Sequence, residues 1–470
     1  MQLREKMERM EEHILVSGRH YCIPYKDSKI YYFPESLSVI KCDHATSEMI
    51  EILNMPMSES GIVRRMLEEY SVSKKDCKSA IQALVESSIL YRDGKLEKSV
   101  LERKDPLPEV ESLPEAESLY PPKLVTIHIT DKCNLKCVYC MNYEARAAST
   151  AVELSISDWS GILKDLFQNG VKEVCFSGGE PFLRPDMITI IKKALQIGLK
   201  VAVITNGTVD IPDVEALRDV NITVSLDSAQ SEENNRNRGP GAFEKTTRFL
   251  NRLNEAGKYF SINSVLTKHN IEGFFGSAKI LSDRYRFLRV IRPIPQETSY
   301  AEDRSLYSFA QWELFLEKML TNTIGNNTDK YIDYSEVGTI SVINGCGVAK
   351  NECMIGPDGA IYPCRALQKD VFKGTVLNGS NFSEVWKNDP VLKRLRSADR
   401  RRANDCVAGG CDFWYFCAGG CFGKTYDLCG DLKSYASTEE CSKLKARTYR
   451  KIIHKLYMQE KANREGNNEK

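Results

Sequence analysis

Residues 128–140 read HITDKCNLKCVYC, and three cysteines there, Cys133, Cys137 and Cys140, form a C-x3-C-x2-C loop. Three thiolates on one short loop can each bind one iron of a cubane iron–sulfur cluster. The fourth iron then lacks a protein ligand, and an open iron is chemically useful because a substrate can bind it. Zinc is the competing metal, but it usually takes C-x2-C pairs with matched partners. Nine further cysteines, Cys346, Cys353, Cys364, Cys406, Cys411, Cys417, Cys421, Cys429 and Cys441, crowd the last quarter of the chain. In a reducing compartment such crowding argues for metal or clusters rather than disulfides.

The elements that must position these thiols follow from the hydrophobic pattern. The apolar, β-branched run 124–129 reads as a buried strand leading into the cysteine loop. Further strands are expected at 173–177, 200–205, 221–225, 260–267 and 287–291, with helices between them, for example at 157–168, 185–197 and 242–256. Six strand–helix repeats imply a parallel sheet. Six units fall short of the eight that close a barrel, so the fold class is α/β, a partial (β/α)6 TIM barrel. Ligands of such folds meet the C-terminal ends of the strands. The second strand ends in Ser177-Gly178-Gly179-Glu180, where paired glycines let backbone approach a ligand closely. The third ends at Thr205-Asn206-Gly207 and the fourth at Ser225-Leu226-Asp227-Ser228. Arg238 is expected in a loop before a helix, and its guanidinium suits a carboxylate. Asn263 is a weaker pocket candidate, and His128 and Cys175 read as core residues.

The cysteine triplet, with Tyr139 just before its last member and Gly178-Gly179-Glu180 one strand later, resembles the signature of radical S-adenosylmethionine (SAM) enzymes. The resemblance implies a [4Fe–4S] cluster on Cys133, Cys137 and Cys140 whose open iron chelates SAM. It implies a SAM pocket built from Tyr139, Ser177, Gly178, Gly179, Glu180, Asn206, Ser225, Asp227 and Arg238. The glycine pair would receive the methionine amino group, Ser225 and Asp227 would meet ribose or methionine groups, and Arg238 would pair with the carboxylate. Further on, Cys346-x12-Gly359-x4-Cys364, then Cys406-x4-Cys411-x5-Cys417-x3-Cys421 and Cys441, resemble the SPASM domain, an extension that holds two auxiliary [4Fe–4S] clusters. Asp358-Gly359 between apolar neighbours reads as a hairpin turn that folds Cys364 back toward Cys346. By resemblance Cys346, Cys364 and Cys421 ligate the first auxiliary cluster, with Cys353 as its fourth ligand. Cys406, Cys411, Cys417 and Cys441 ligate the second, with Cys429 competing for the last place. A pair of zinc ribbons would use the same thiolates. The expected cofactors are SAM and three [4Fe–4S] clusters.

At 470 residues the chain is too long for one core. Residues 1–100 carry strand-like pieces around 14–16, 20–24 and 29–33, and amphipathic helices near 47–53, 60–70 and 74–88. This suggests a winged-helix-like module that binds either DNA or an extended leader peptide along its sheet edge. The third helix mixes Lys74, Lys75 and Lys78 with Asp76 and Glu86, so no basic recognition helix stands out and peptide binding is preferred. Peptide-modifying radical SAM enzymes often carry such a precursor-recognition module. A linker rich in proline and acidic residues, 101–123, follows. The barrel is expected over 124–300, a bridging region with a helix at 309–321 over 301–345, the SPASM domain over 346–445, and a C-terminal helix and tail over 446–470.

The net charge is +1, which supplies no global field for nucleic acid or membrane. No apolar run reaches the length of a membrane span, and the charged N-terminus is no signal peptide. A cytoplasmic location follows, with no nucleic-acid or membrane partner; the run Arg400-Arg401-Arg402 reads as a solvated face. Sulfatase-maturing radical SAM enzymes carry an aspartate base directly after the cysteine matching Cys364, and here that position is Arg365. With the C-x4-C spacing and the N-terminal module, the chain resembles a sactipeptide or ranthipeptide maturase. Such enzymes join a cysteine sulfur to a carbon of another residue in a ribosomally made precursor peptide. A 5′-deoxyadenosyl radical made from SAM first takes a hydrogen atom from the peptide, an auxiliary cluster accepts the electron left over, and flavodoxin or ferredoxin supplies electrons. A carbon–carbon crosslink would use the same motifs. An iron–sulfur DNA-binding sensor or an electron carrier would explain the clusters, but a sensor has no need of Gly178-Gly179-Glu180.

Overall fold

A computed structural model describes residues 13–17, 20–25, 28–33, 38–87, 89–93, 120–140, 149–211, 213–295 and 347–397, with short runs at 143, 146, 306–308, 311–312, 314–315, 318–319, 331–333, 421–423, 426, 430 and 432. The chain divides into two compact units, one within residues 1–109 and one within 110–451. The linker up to residue 119, most of the bridging region, the tail, Arg400-Arg401-Arg402, and Cys346, Cys406, Cys411, Cys417, Cys429 and Cys441 lie outside the described residues.

The first unit runs β1 (Ile14–Ser17), β2 (Tyr21–Tyr25), β3 (Ser28–Phe33), β4 (Ser38–Cys42), α1 (His44–Ile52), β5 (Met57–Ser58), α2 (Glu59–Tyr70), α3 (Lys74–Glu86) and β6 (Leu90–Arg92). The strands form two antiparallel sheets, β2-β3-β4 and β5-β1-β6. Each helix starts on a side-chain cap, from Asp43, Ser58 and Ser73, which satisfies a free backbone N–H of its first turn. Met49, Ile50, Ile62, Met66, Cys77 and Ile81 then bury against Leu15, Tyr31 and Phe33. Strands β4, β5 and β6 lie beyond the three pieces legible in the sequence, because runs this short carry too little alternation to be read.

In the second unit six parallel strands lie side by side in sequence order: β7 (Leu124–Thr130), β8 (Glu173–Gly178), β9 (Lys200–Thr205), β10 (Val220–Ser225), β11 (Phe260–Leu266) and β12 (Leu288–Pro295). The crossovers carry α4 (Ile156–Gln168), α5 (Met187–Ile197), α6 (Ser231–Arg238), α7 (Ala242–Glu255) and α8 (Phe274–Arg284). One repeat departs from the expected pattern. Between β9 and β10 stands only a 3-10 turn, Glu215–Leu217, because that connection is short and its sequence is broken by Pro212.

Alternation divides the sheet into two faces. Val125, Ile127, Ile129, Phe176, Val203, Ile222 and Ile262 point to the helices and bury with Trp159, Ile190, Phe249 and Leu250 in one core. Neighbouring parallel residues share a face, so the pairs Thr126↔Cys175, His128↔Ser177, Thr223↔Ser261 and Ser225↔Asn263 mark a polar inner face turned away from the helices.

The expected hairpin exists, as β13 (Met354–Ile355) and β14 (Ile361–Tyr362), antiparallel about a turn where Gly359 has φ +81°. It is not separate from the barrel. Strand β13 pairs in parallel with β7, so the sheet order becomes β12-β11-β10-β9-β8-β7-β13-β14. The Thr126 N–H donates to the Cys353 carbonyl at 3.2 Å, and the hairpin thereby covers the edge that β7 would otherwise expose. Helix α9 (Phe382–Asn388) follows, and its Trp386 Nε1 donates to the Tyr120 carbonyl at 3.0 Å just before β7. Among the described residues no helix is long and apolar enough to cross a membrane.

Candidate active site

The cysteine loop leaves the C-terminal end of β7 and is pinned on three sides. On the first side stands the glycine pair. Gly179 N–H donates to the Thr130 carbonyl at 2.7 Å and Glu180 N–H to the Lys132 carbonyl at 2.8 Å. A Cβ on Gly179 would lie 1.9 Å from the Lys132 oxygen, and one on Gly178, at φ +126°, would lie 2.5 Å from the Thr130 oxygen. The glycines are therefore needed for the loop backbone itself to seat, whatever ligand they also meet. On the second side, Asn206 Nδ2 donates to Asn134 Oδ1 at 3.0 Å, and Asn134 Nδ2 donates to Thr208 Oγ1 at 2.8 Å. On the third, Val138 N–H donates to the Asn237 carbonyl at 2.9 Å.

Glu180 is 1 % exposed. Its Oε1 accepts from the Thr205 hydroxyl at 2.7 Å and Phe182 N–H at 3.2 Å, and its Oε2 from Asn206 N–H at 2.7 Å. Burial pushes its pKa up to about 7, against the pull of these bonds. Both oxygens thus hold the end of β9, and Asn206 with it, in place.

Tyr139, Asp227 and Arg238 form one group, with the aspartate and arginine buried and the tyrosine half-buried. The Tyr139 hydroxyl donates to Asp227 Oδ2 at 2.7 Å, and Arg238 Nη2 donates to Asp227 Oδ1 at 2.7 Å. Val265 N–H also donates to Oδ1, at 3.0 Å, and the Arg238 guanidinium lies 5.6 Å from the Tyr139 ring centroid. Arg238 corrects its expectation: it is the last residue of α6, buried, and ion-paired, where the sequence suggested a loop. A buried cation is tolerated here because the carboxylate beside it is equally buried and fully bonded. Burial drives the Tyr139 phenol well up.

Beside this group several buried polar atoms have no hydrogen-bond partner among the described residues: Arg238 Nε, Asn234 Nδ2, Asn237 Nδ2 and Asn263 Oδ1. Buried polar groups are rarely left unpaired, so a polar ligand at the ends of β10 and β11 fits this set, and SAM, with amino, carboxylate and ribose groups, is such a ligand. Ser177 and Ser225 stand half-buried on the same inner face. The three thiols are half-buried too. Arg146 donates to Cys140 Sγ at 3.2 Å and also reaches Cys133, while burial pushes Cys137 up to about 12. Among the described residues no three His, Cys, Asp or Glu side chains already stand at metal-ligand spacing. The donor set, three thiols on one loop with no fourth, suits a cluster with one open iron.

Of the auxiliary ligands, Cys353 and Cys364 are buried and Cys421 is exposed. Cys353 is 2 % exposed, within the apolar core, and burial drives its thiol up. Cys364 caps a 3-10 turn, Arg365–Leu367. Just after it, Gln368 Oε1 lies 2.5 Å from His128 Nδ1, and Gln368 Nε2 donates to Asp131 Oδ1 at 3.5 Å. His128 is buried, as expected, but it belongs to the inner face; burial pushes its pKa down to about 4, so it is neutral. Asn134, Asn234, Asn237 and Gln368 carried no signal in the sequence, since a lone polar residue has no spacing to read.

The chain matches the Radical SAM superfamily over residues 127–278 and SPASM, an iron–sulfur cluster-binding domain, over residues 346–412. It is 31 % identical over 320 residues to the mycofactocin maturase MftC of Mycobacterium ulcerans (strain Agy99), a match covering 65 % of this chain and 84 % of that protein. It is 29 % identical over 339 residues to the AdoMet-dependent heme synthase of Methanosarcina barkeri (strain Fusaro / DSM 804), covering 66 % of this chain and 94 % of that one. The fold is like that of Streptococcus suis SuiB bound to the precursor peptide SuiA, with TM-score 0.56 and 19 % identity, covering 90 % of this chain and 99 % of that chain.

Proposed function

The chain belongs to the radical SAM superfamily, carries a SPASM extension, and uses SAM and [4Fe–4S] clusters; from this we propose that it is a peptide maturase that forms thioether crosslinks. The observation that carries the reading is the cysteine loop held at the strand ends between Gly178-Gly179 and the Tyr139–Asp227–Arg238 group. Cys133, Cys137 and Cys140 hold the SAM-binding cluster, and the unpaired Arg238, Asn234, Asn237 and Asn263 atoms, with Ser177, Ser225 and the glycine backbone, hold SAM. Bound there, the pair supplies one-electron cleavage of SAM and hydrogen-atom abstraction from a peptide carbon. Glu180, Asn206 and Asp227 keep the loop in register with the sheet, and the buried Asp227–Arg238 pair keeps water from its inner side. Cys346, Cys353, Cys364 and Cys421 hold one auxiliary cluster, and Cys406, Cys411, Cys417 and Cys441 the other.

The substrate is a ribosomally made precursor whose leader adds to the β2-β3-β4 sheet. Strand β2 carries Pro24 and is a poor template, so the β4 edge takes the leader. Support for a peptide comes from this unit and from the likeness to MftC. Support for a sulfur-to-carbon bond comes from the Cys406-x4-Cys411 spacing and from Arg365 in the place of an aspartate base. The enzyme works in the cytoplasm with a flavodoxin or ferredoxin donor. A second reading, action on a tetrapyrrole, is favoured by the likeness to a heme synthase.

One anaerobic experiment separates these. The protein is loaded with iron and sulfide, reduced, and given SAM with either a cysteine-containing peptide encoded beside its gene or an iron porphyrin. The expected result is 5′-deoxyadenosine together with a two-hydrogen mass loss in the peptide, fragmentation placing a bond at a cysteine sulfur. Conversion of the porphyrin alone would favour the second reading. No deoxyadenosine from fully iron-loaded protein would sink both.

A further inference from the structure

The turn after Cys364 carries a cation to the inner face of the sheet that the chemistry above does not use. Leu367 buries in the core and anchors the turn. Gln368 touches His128 on the inner face. Gln368 closes this turn and Arg365 opens it, so Arg365 lies one short turn from that contact. Its charge is accordingly felt at His128 on β7 and at Cys175 on β8, as well as at Glu352.

Arg365 is exposed and makes no hydrogen bond or ion pair with any described residue. The other guanidiniums near the strand ends are engaged. Arg238 pairs with Asp227, Arg184 with Asp186 at 2.8 Å, and Arg292 with Asp333 at 2.8 Å. Its neighbour His128 is neutral and already bonded through Nδ1 to Gln368, so it neither repels an anion nor replaces one. An Arg keeps its charge at any working pH and offers a planar fork of donors that matches a carboxylate.

We propose that Arg365 is a specificity-determining residue that binds a carboxylate of the substrate in front of the inner sheet face. The carboxylate belongs to an Asp or Glu side chain of the peptide or to its C-terminus. The proposal rests on the peptide reading above, but its test needs no turnover.

Holoenzyme with SAM is treated with phenylglyoxal, and modification at Arg365 is followed by peptide mass mapping. Three probes compete: N-acetylglutamate α-amide, with a side-chain carboxylate; N-acetylalanine, with a terminal one; and N-acetylglutamine amide, which is neutral. Arg365 is expected to react readily and to be shielded by one of the two carboxylates, whose identity names the source. Shielding by neither carboxylate, or equal shielding by the neutral amide, overturns the proposal. Binding of the shielding probe is then titrated with variants. Arg365→Gln is expected to weaken it about ten-fold or more and Arg365→Lys by less, since a charge-assisted bond is worth that much. Iron content and cluster spectrum, read alongside, confirm that Cys364 still serves its cluster in the Lys variant. Unchanged binding in Arg365→Gln also overturns it. A shielded Arg365 in an enzyme that ignores peptides would leave this site standing while the peptide reading fell.

Discussion

Glu180 shows how a residue in a signature motif can act at one remove. Its carboxylate holds Thr205 and Asn206 rather than facing open space, and burial raises its pKa from an ordinary 4.5 to about 7. Between those values the folded protein keeps a proton that the unfolded chain has released. Stability is therefore full below the lower value and falls as pH rises through the upper one. Glu180→Gln removes this ionisation at the cost of one acceptor facing Asn206. Thermal melts of the cluster-free protein should show the wild type losing stability between about pH 4.5 and about pH 7 relative to Glu180→Gln, by an amount on the order of a few kcal/mol. Parallel melting curves across that range would rule the argument out. At this scale the cysteines and the glycine pair were legible because their spacing is their chemistry. The Tyr139–Asp227–Arg238 contact was not, because the three positions are far apart in the chain and meet only when β7, β10 and α6 converge.

Among elements, the decisive contact is the crossing of the β8 end under the loop that leaves β7. Gly179→Ala places a methyl where the Lys132 oxygen sits, and backbone on both sides leaves little room to yield. We expect this variant to lose about four irons per chain on reconstitution, the content of one cubane. The SAM-dependent change in the cluster's electron paramagnetic resonance should go with them, while auxiliary signals remain. Gly276→Ala serves as the control, since open space surrounds it within α8 and the substitution favours a helix. Wild-type iron in Gly179→Ala would contradict the close packing. The six parallel strands were readable from alternating apolar runs, and their boundaries held to within a few residues. The pairing of β13 with β7 was not, since a two-residue strand has no period and its partner lies more than two hundred residues away.

At the scale of the molecule, the division into two units makes the proposed leader binding testable apart from the chemistry. Removing residues 1–93 should leave SAM cleavage without peptide unchanged, because the cysteine loop and its clamps lie wholly within the second unit. The KM for full-length precursor should rise on the order of ten-fold or more, through loss of the effective concentration that leader binding provides, while a leaderless peptide should react as before. An equal loss for both peptides would assign the first unit a structural role instead. The amino-acid order alone was enough for the family, the partial barrel and the place of the cysteine loop at a strand end, since each rests on local spacing: cysteines within one loop, glycines at one strand end, and apolar residues at a strand's period. Partners drawn together by folding lay beyond it. That Arg238 answers to Asp227, that Glu180 holds β9 and that the Cys364 hairpin extends the barrel's own sheet all depend on contacts made by folding, and such contacts leave no periodic trace in sequence.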